Sequence, residues 1–269
     1  MKRQYGLQDL EKDDRDFSLG AFDTLPELSD LPSEFELPFT VKHQGTTDWC
    51  SAYATCAASE VQEEVELDPA YSFAATKRIQ GNVESWGADL RSACKSHIKF
   101  GALEYIDGRQ PNLTLKERRD FKHWDKYRPE ATLHRKKSYF QTKGPYDAFD
   151  NIRASLVKYH TPVVIGIQFG YKLSEMYLEI PKQGFGHAMT VIGYRDKYLT
   201  VGNSYGEQAG DGGVHYISRE VINYWVKRYG AFTFIDVDPE QVKYNKQYGI
   251  LKGDNWLKQF WKITRSLWC

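Results

Sequence analysis

The sequence predicts an α+β fold whose two halves meet at a cleft. Apolar residues recur at helical spacing in the first half, over about 49–66, 71–80 and 89–100. The second half instead carries apolar runs of strand length at 163–167, 188–194, 198–201 and 231–237, and this segregation is the mark of α+β. The chain has 269 residues, 41% hydrophobic and 14% aromatic, enough for one large domain or two lobes.

Taken in order, residues 1–36 are polar and acidic (Glu11, Asp13, Asp14, Asp16) and read as an extended arm over the surface, with Phe17 and Phe22 available to pin it. Leu37 to His43 is a short entry strand or loop. Asp48 is a good N-cap, so a helix is expected from Trp49 to the neighbourhood of Asp68-Pro69. Tyr71–Gln80 and Asp89–Phe100 follow as helices, the second stopped by Gly101 as a C′ glycine. Gly81-Asn82 and Trp86-Gly87 punctuate the loops between them. Residues 105–137 interleave Lys116, Arg118, Arg119, Lys122, Lys126, Arg128 and Arg135–Lys137 with Phe121, Trp124 and Tyr127, which reads as a solvated helical insertion. Asp147–His160 is helical and Pro162 ends it. Strands follow at Val163–Ile167, Ala188–Tyr194, Tyr198–Val201, His215–Ile217 and Ala231–Val237. Residues 238–269 form a C-terminal extension in which Asp254 could cap an amphipathic helix suited to packing or to docking a partner.

Composition excludes several classes. With 36 basic and 36 acidic side chains the formal charge is zero, so no global field selects nucleic acid or membrane. The basic insertion at 116–137 is the one local exception, and nucleic acid is not expected as a partner. The four cysteines, Cys50, Cys56, Cys94 and Cys269, contain no CxxC pair, so neither zinc nor any other cofactor is implied. The first residues do not form an apolar signal segment and no run approaches a membrane span, so an intracellular, reducing setting is expected.

The candidate chemistry starts at Cys50. In the first turn of its helix the sulfur meets free backbone N–H groups and the positive helix end, which favour the nucleophilic thiolate. Gln44 could turn an amide N–H toward the same place and hold an oxyanion. A lone cysteine at a helix start is more often a small buried hydrophobe. Far downstream, however, Gly186-His187-Ala188 places an imidazole, a base that titrates near neutrality, at the mouth of an apolar strand. Asn203 follows the next apolar strand, and its oxygen could accept the far imidazole N–H and orient the ring.

Gln44, Cys50, His187 and Asn203 occur in the order and spacing of papain-like cysteine peptidases, with His and Asn roughly 130–150 residues after the cysteine. The flanks Gly186-His187-Ala188-Met189 and Gly202-Asn203-Ser204-Tyr205-Gly206 resemble the family's histidine strand and Asn-Ser-aromatic-Gly segment. The likeness spans about 37–237 and is nearest in character to bacterial or viral members without a long pro-region. It implies a papain-like two-lobe fold, with a helical lobe over about 44–130 and a β-barrel-like lobe over about 131–237, the site lying between them. It implies a cysteine endopeptidase acting on protein or peptide through a thioester. Cys50 would be the nucleophile, His187 the base and acid, Asn203 its orienter, and Gln44 with the Cys50 N–H the oxyanion hole. Tyr205 would shield the Asn203–His187 bond, Gly87-Ala88 would be the strand that holds substrate backbone, and Phe234 would floor the main specificity pocket and make it shallow.

Some residues depart from the pattern. Thr47 stands where the family usually has a disulfide cysteine, which suits a reducing compartment. Asp48 adds a negative charge beside Cys50 and would oppose the thiolate. The same thioester could serve another acyl transfer, such as ligation or deamidation, and a non-catalytic scaffold is a third reading. Four intact site residues argue against the last. Without a long pro-region, control of the cleft is expected from the arm, the insertion or the tail.

Overall fold

A computed structural model describes residues 6–13, 16–109, 113–170 and 172–236. The chain divides after Asp236, and the expected C-terminal extension at 238–269, including the helix capped by Asp254, lies outside the described residues. In order, the elements are α1 (Leu19–Phe22), β1 (Glu34–Glu36), α2 (Cys50–Glu63), α3 (Pro69–Gln80), α4 (Leu90–Lys99), α5 (Leu115–Arg118), α6 (Arg128–Ala131), β2 (Ser138–Gln141), α7 (Ala148–Tyr159), β3 (Val163–Phe169), β4 (Tyr177–Leu178), β5 (Phe185–Arg195), β6 (Tyr198–Gly202), β7 (Val214–Ser218), α8 (Arg219–Tyr229) and β8 (Ala231–Ile235). Among the described residues no helix is long and apolar enough to cross a membrane.

The class is α+β, as the periodicities predict, but the second half is not purely β. Helices α7 and α8 lie between its strands. The strands form one sheet in the order β2-β8-β3-β5-β6-β7-β4, with β1 added to β5. The barrel-like closure implied for this half is absent. Short β2 and two-residue β4 end the path with five strands between them.

Local chemistry fixes the helices that frame the site. Asp68 caps α3 by accepting from the Ala70 and Tyr71 N–H groups, with Pro69 pre-set at the first helical position. Asp89 caps α4 through Ser92 N at 2.8 Å, and Asp147 caps α7 through Asp150 N at 3.0 Å. Helix α2 lies deep in the protein. Ser51, Ala52, Ala54, Thr55, Ala57, Ala58 and Ser59 are all buried, and these small side chains let its backbone approach β5, where Thr190 Oγ1 donates to Ala54 O at 3.0 Å.

The insertion is less solvated than its composition predicts. Trp124 is fully buried and Phe121 nearly so, edge-on and tilted against Tyr71 and Phe100. Arg128 lies over Phe100 at 5.4 Å and Arg109 over Tyr127 at 5.3 Å, so cations cap aromatic faces here.

His97 on α4 is completely buried, bonded through Nδ1 to Ser59 Oγ at 3.1 Å and stacked on Phe234 at 5.3 Å. Burial, helped by the nearby Lys136 charge, pulls its pKa down to about 3. The unfolded chain keeps an ordinary histidine near 6.5, so between pH 6.5 and about 3 only the unfolded state takes up this proton. Stability from this group is whole above pH 6.5 and falls with pH through that window, by up to about 1.4 kcal/mol per pH unit. His97→Gln should therefore flatten the fall of Tm between pH 6.5 and 4.5. Parallel wild-type and variant curves would exclude His97 as the acid-labile group.

Candidate active site

Strand β5 is the spine of the site. Ten of its eleven residues are buried, and it pairs with β3 so that Ile167 faces His187. On its other side Thr190 pairs with Gly202 of β6, so the loop leaving β6 runs back beside His187. Asn203 is the first residue of that loop. His187 Nε2 donates to Asn203 Oδ1 at 2.8 Å, and Ser204 N donates to the same oxygen at 2.7 Å. Tyr205 stacks on the imidazole at 4.7 Å with the rings only 10° apart, and Phe169 meets the ring edge-on at 5.3 Å. Thus Tyr205 roofs His187.

Gln44 is drawn to this loop from the other direction. Its backbone N donates to Ser204 O at 2.8 Å, Ser204 Oγ donates to its Oε1 at 2.5 Å, and its Nε2 donates to Thr47 O at 2.8 Å. Residues His43 and Tyr205 form an antiparallel bridge beside it. The Thr47 carbonyl, which can only accept, fixes which end of the amide is NH2, and that group carries a second hydrogen.

Cys50 opens α2, one residue later than the capping argument predicts. The cap residue is Trp49, which offers no side-chain hydrogen bond. The sulfur is fully buried, and burial is the chief reason its pKa is pushed up to about 12. The Asp48 charge acts in the same direction, against hydrogen bonds from the backbone of Ala188, Ser51 and Cys50 itself. The bond to Ala188, the residue after His187, sets the sulfur against β5.

The arm lies against this sulfur. Leu7 N donates to Gly186 O at 3.1 Å, Ala88 N donates to Gly6 O at 2.9 Å, and Gln8 N donates to Ala88 O at 3.1 Å. An extended main chain is therefore held between the Gly87-Ala88 loop and the start of β5, across the sulfur. A Cβ added at Gly6 would stand 2.7 Å from Cys50 Sγ and 2.9 Å from Asp48 O. Gly87 has φ +59, and a Cβ there would fall 2.1 Å from Gly6 O, so both the turn and the close approach require glycine. The Leu7 side chain packs directly on Gly166, with Tyr229 beside it. Farther along, Asp16 anchors the arm through a bidentate pair with Arg91 (2.6 and 2.8 Å) and bonds from Tyr139 and Gln141.

A family model described as papain family cysteine protease matches residues 26–233. The chain belongs to the papain family of cysteine proteases.

Solved structures agree with this papain-family peptidase in fold. Xylellain, a cysteine protease from Xylella fastidiosa, is 22% identical with a TM-score of 0.69, covering 88% of this chain and 97% of its own. The procathepsin B S9 of Trypanosoma congolense is 14% identical with a TM-score of 0.63, covering 87% of each chain. Digestive procathepsin L 3 of Tenebrio molitor larval midgut is 15% identical at 0.56, covering 82% of this chain and 75% of its own. No curated protein matches the chain.

Two sequence-based expectations for the site need correcting. Phe234 does not floor a pocket. It is fully buried on β8, opposite Tyr139 and stacked on His97, whereas Gly166 meets the Leu7 side chain of the arm. Asp48 does not cap α2. Its Oδ2 accepts from Gly87 N at 2.5 Å and faces Arg119 of the insertion at 3.4 Å, so its charge is paired across the site wall. Sequence reasoning also passed over His215, which is buried behind Asn203 with Nε2 2.8 Å from Asn203 Nδ2. The available signal was a polar residue in register with Ile217 on the buried face of a strand.

Proposed function

We propose that the chain is an endopeptidase that cleaves through a thioester on Cys50, and that its own arm keeps the site closed. In this reading the Cys50 thiolate attacks the carbonyl carbon of the scissile bond. The resulting oxyanion takes hydrogen bonds from the Cys50 N–H and the second Gln44 amide hydrogen. His187, cationic while the sulfur is thiolate, gives its proton to the leaving nitrogen as the C–N bond breaks. It then takes a proton from the water that attacks the thioester carbonyl, and as the C–S bond breaks the sulfur leaves as thiolate, which restores the thiolate–imidazolium pair. Asn203 keeps Nε2 of His187 occupied, which leaves Nδ1 for the sulfur.

The observation that carries this reading is the arm itself. The groove beside Cys50 grips a peptide main chain by backbone bonds to Ala88 and Gly186, without regard to most side chains. That is what a peptide substrate needs. Intact mass after treatment with a peptidyl epoxide provides the test. One adduct at Cys50 is expected, absent in Cys50→Ala and slowed by about 100-fold or more in His187→Ala. Adducts spread over Cys56, Cys94 and Cys269, indifferent to His187, would overturn it.

A further inference from the structure

Behind Asn203 lies a group that the catalytic reading does not use. His215 is completely buried on β7. Its Nδ1 is 2.6 Å from Glu175 O and its Nε2 is 2.8 Å from Asn203 Nδ2. A carbonyl oxygen can only accept, so the hydrogen of this ring sits on Nδ1. Nε2 is then a lone pair, and the Asn203 group facing it must be the NH2. The opposite end of the amide is therefore the oxygen, and it faces His187 Nε2 and Ser204 N. His187 must donate from Nε2, so in the neutral ring Nδ1 is the lone pair. The Glu175 carbonyl, which can only accept, and the Ser204 N–H, which can only donate, thus select the same orientation of the Asn203 amide from its two ends.

We propose that His215 is a positioning residue, whose accepting nitrogen locks the Asn203 amide in the orientation that holds His187 for catalysis. Its surroundings are suited to the task. Phe169 closes on the ring edge-on at 5.5 Å, and Gly210, φ +57, comes so near that a Cβ would lie 2.8 Å from Nδ1 and Cε1. Gly210 N and Tyr216 N in turn bond Leu173 O and Met176 O, which staples the loop bearing Glu175 to β7. Burial holds the ring's pKa below the ordinary histidine range, although the Glu175 carbonyl and charge work the other way, so the neutral, accepting form is retained. A leucine in its place would leave the buried Asn203 NH2 without an acceptor and the two amide orientations closer in energy.

The proposal rests on the catalytic reading above, and a mutant cycle separates the two. Peptide hydrolysis would be measured for wild type, Asn203→Ala, His215→Leu, His215→Gln and the Asn203→Ala/His215→Leu double variant. His215→Leu should lose about 10- to 50-fold in kcat with KM within about twofold. His215→Gln, whose Oε1 can accept from Asn203, should recover to within about threefold of wild type. In the double variant the leucine should cost less than about twofold beyond Asn203→Ala alone, since its effect passes through that amide. Losses that multiply, or an unchanged kcat in His215→Leu, would overturn the positioning role. Should Asn203→Ala itself leave kcat intact, the catalytic reading fails, and nitrogen-15 shifts of the histidines still judge His215. Its Nδ1–H tautomer, and a His187 ring held as Nε2–H only when residue 215 can accept, are expected. A His187 tautomer indifferent to His215→Leu would refute the proposal.

Discussion

Gly6→Val should raise hydrolysis of a small peptide substrate by about 10- to 100-fold, the gain available when a closed state favoured by roughly 1.4–2.7 kcal/mol is abolished. The added side chain has nowhere to go. Its Cβ alone would meet Cys50 Sγ and the Asp48 carbonyl, and that backbone is pinned by the start of α2 and by Gly87. Because the variant leaves every groove residue untouched, a gain reports arm release alone. The thiol should change with it. Its pKa stands near 12 chiefly through burial, and an uncovered sulfur loses that penalty while keeping its backbone hydrogen bonds. Iodoacetamide should therefore label Cys50 at neutral pH much faster in Gly6→Val than in the wild type. Unchanged turnover together with unchanged labelling would refute closure by the arm.

Asp48→Ala should lower both stability and kcat/KM. The carboxylate is 2% exposed and lies among Arg119, the Gly87 N–H and, farther off, the fully buried Lys77. Lys77 is already pulled down to about 8, by burial first and by Arg119 second, with Asp48 opposing both. Removing Asp48 leaves half-buried Arg119 without its counter-ion, next to buried Lys77, and the Gly87 N–H without its acceptor, a change that costs roughly 3 kcal/mol in such settings. For a body of this size that is about 6–12 °C in Tm. It also frees the loop whose main chain forms one wall of the groove. Asp48→Asn separates the effects, since its oxygen can still accept from Gly87 N while the charge is gone. Melting and kinetics unchanged in Asp48→Ala would show that the bridge is idle.

Much of this arrangement was legible in the residues. The small-residue run after Cys50, the apolar strand through His187 and the Asn-Ser-aromatic loop all depend on local sequence, and the family match spans 26–233. What escaped depends on register and on contacts between distant segments. Asp48 looks like a cap because Asp before an apolar run usually is one, and its real partners, Gly87 and Arg119, are far along the chain. Phe234 alternates correctly for a buried strand, but only the pairing of β8 with β2 shows that it faces His97 and not the groove. Helix α8 carried a readable pattern in Val221, Ile222, Trp225 and Tyr229, obscured by the aromatic-rich strands on either side. The arm was expected on the surface, and nothing in Gly6-Leu7-Gln8 alone states that it lies in the groove.

The strap over Cys50 belongs to the same polypeptide as the groove that it fills. A tethered segment of this length presents itself at millimolar effective concentration, whatever the protein's own dilution. A handful of backbone bonds, too feeble to retain a separate peptide, is then enough to keep the groove occupied. A single nick between Gln8 and Asp16 would cancel that advantage, since the Asp16–Arg91 anchor would stay on the far side of the cut and the severed piece could diffuse away.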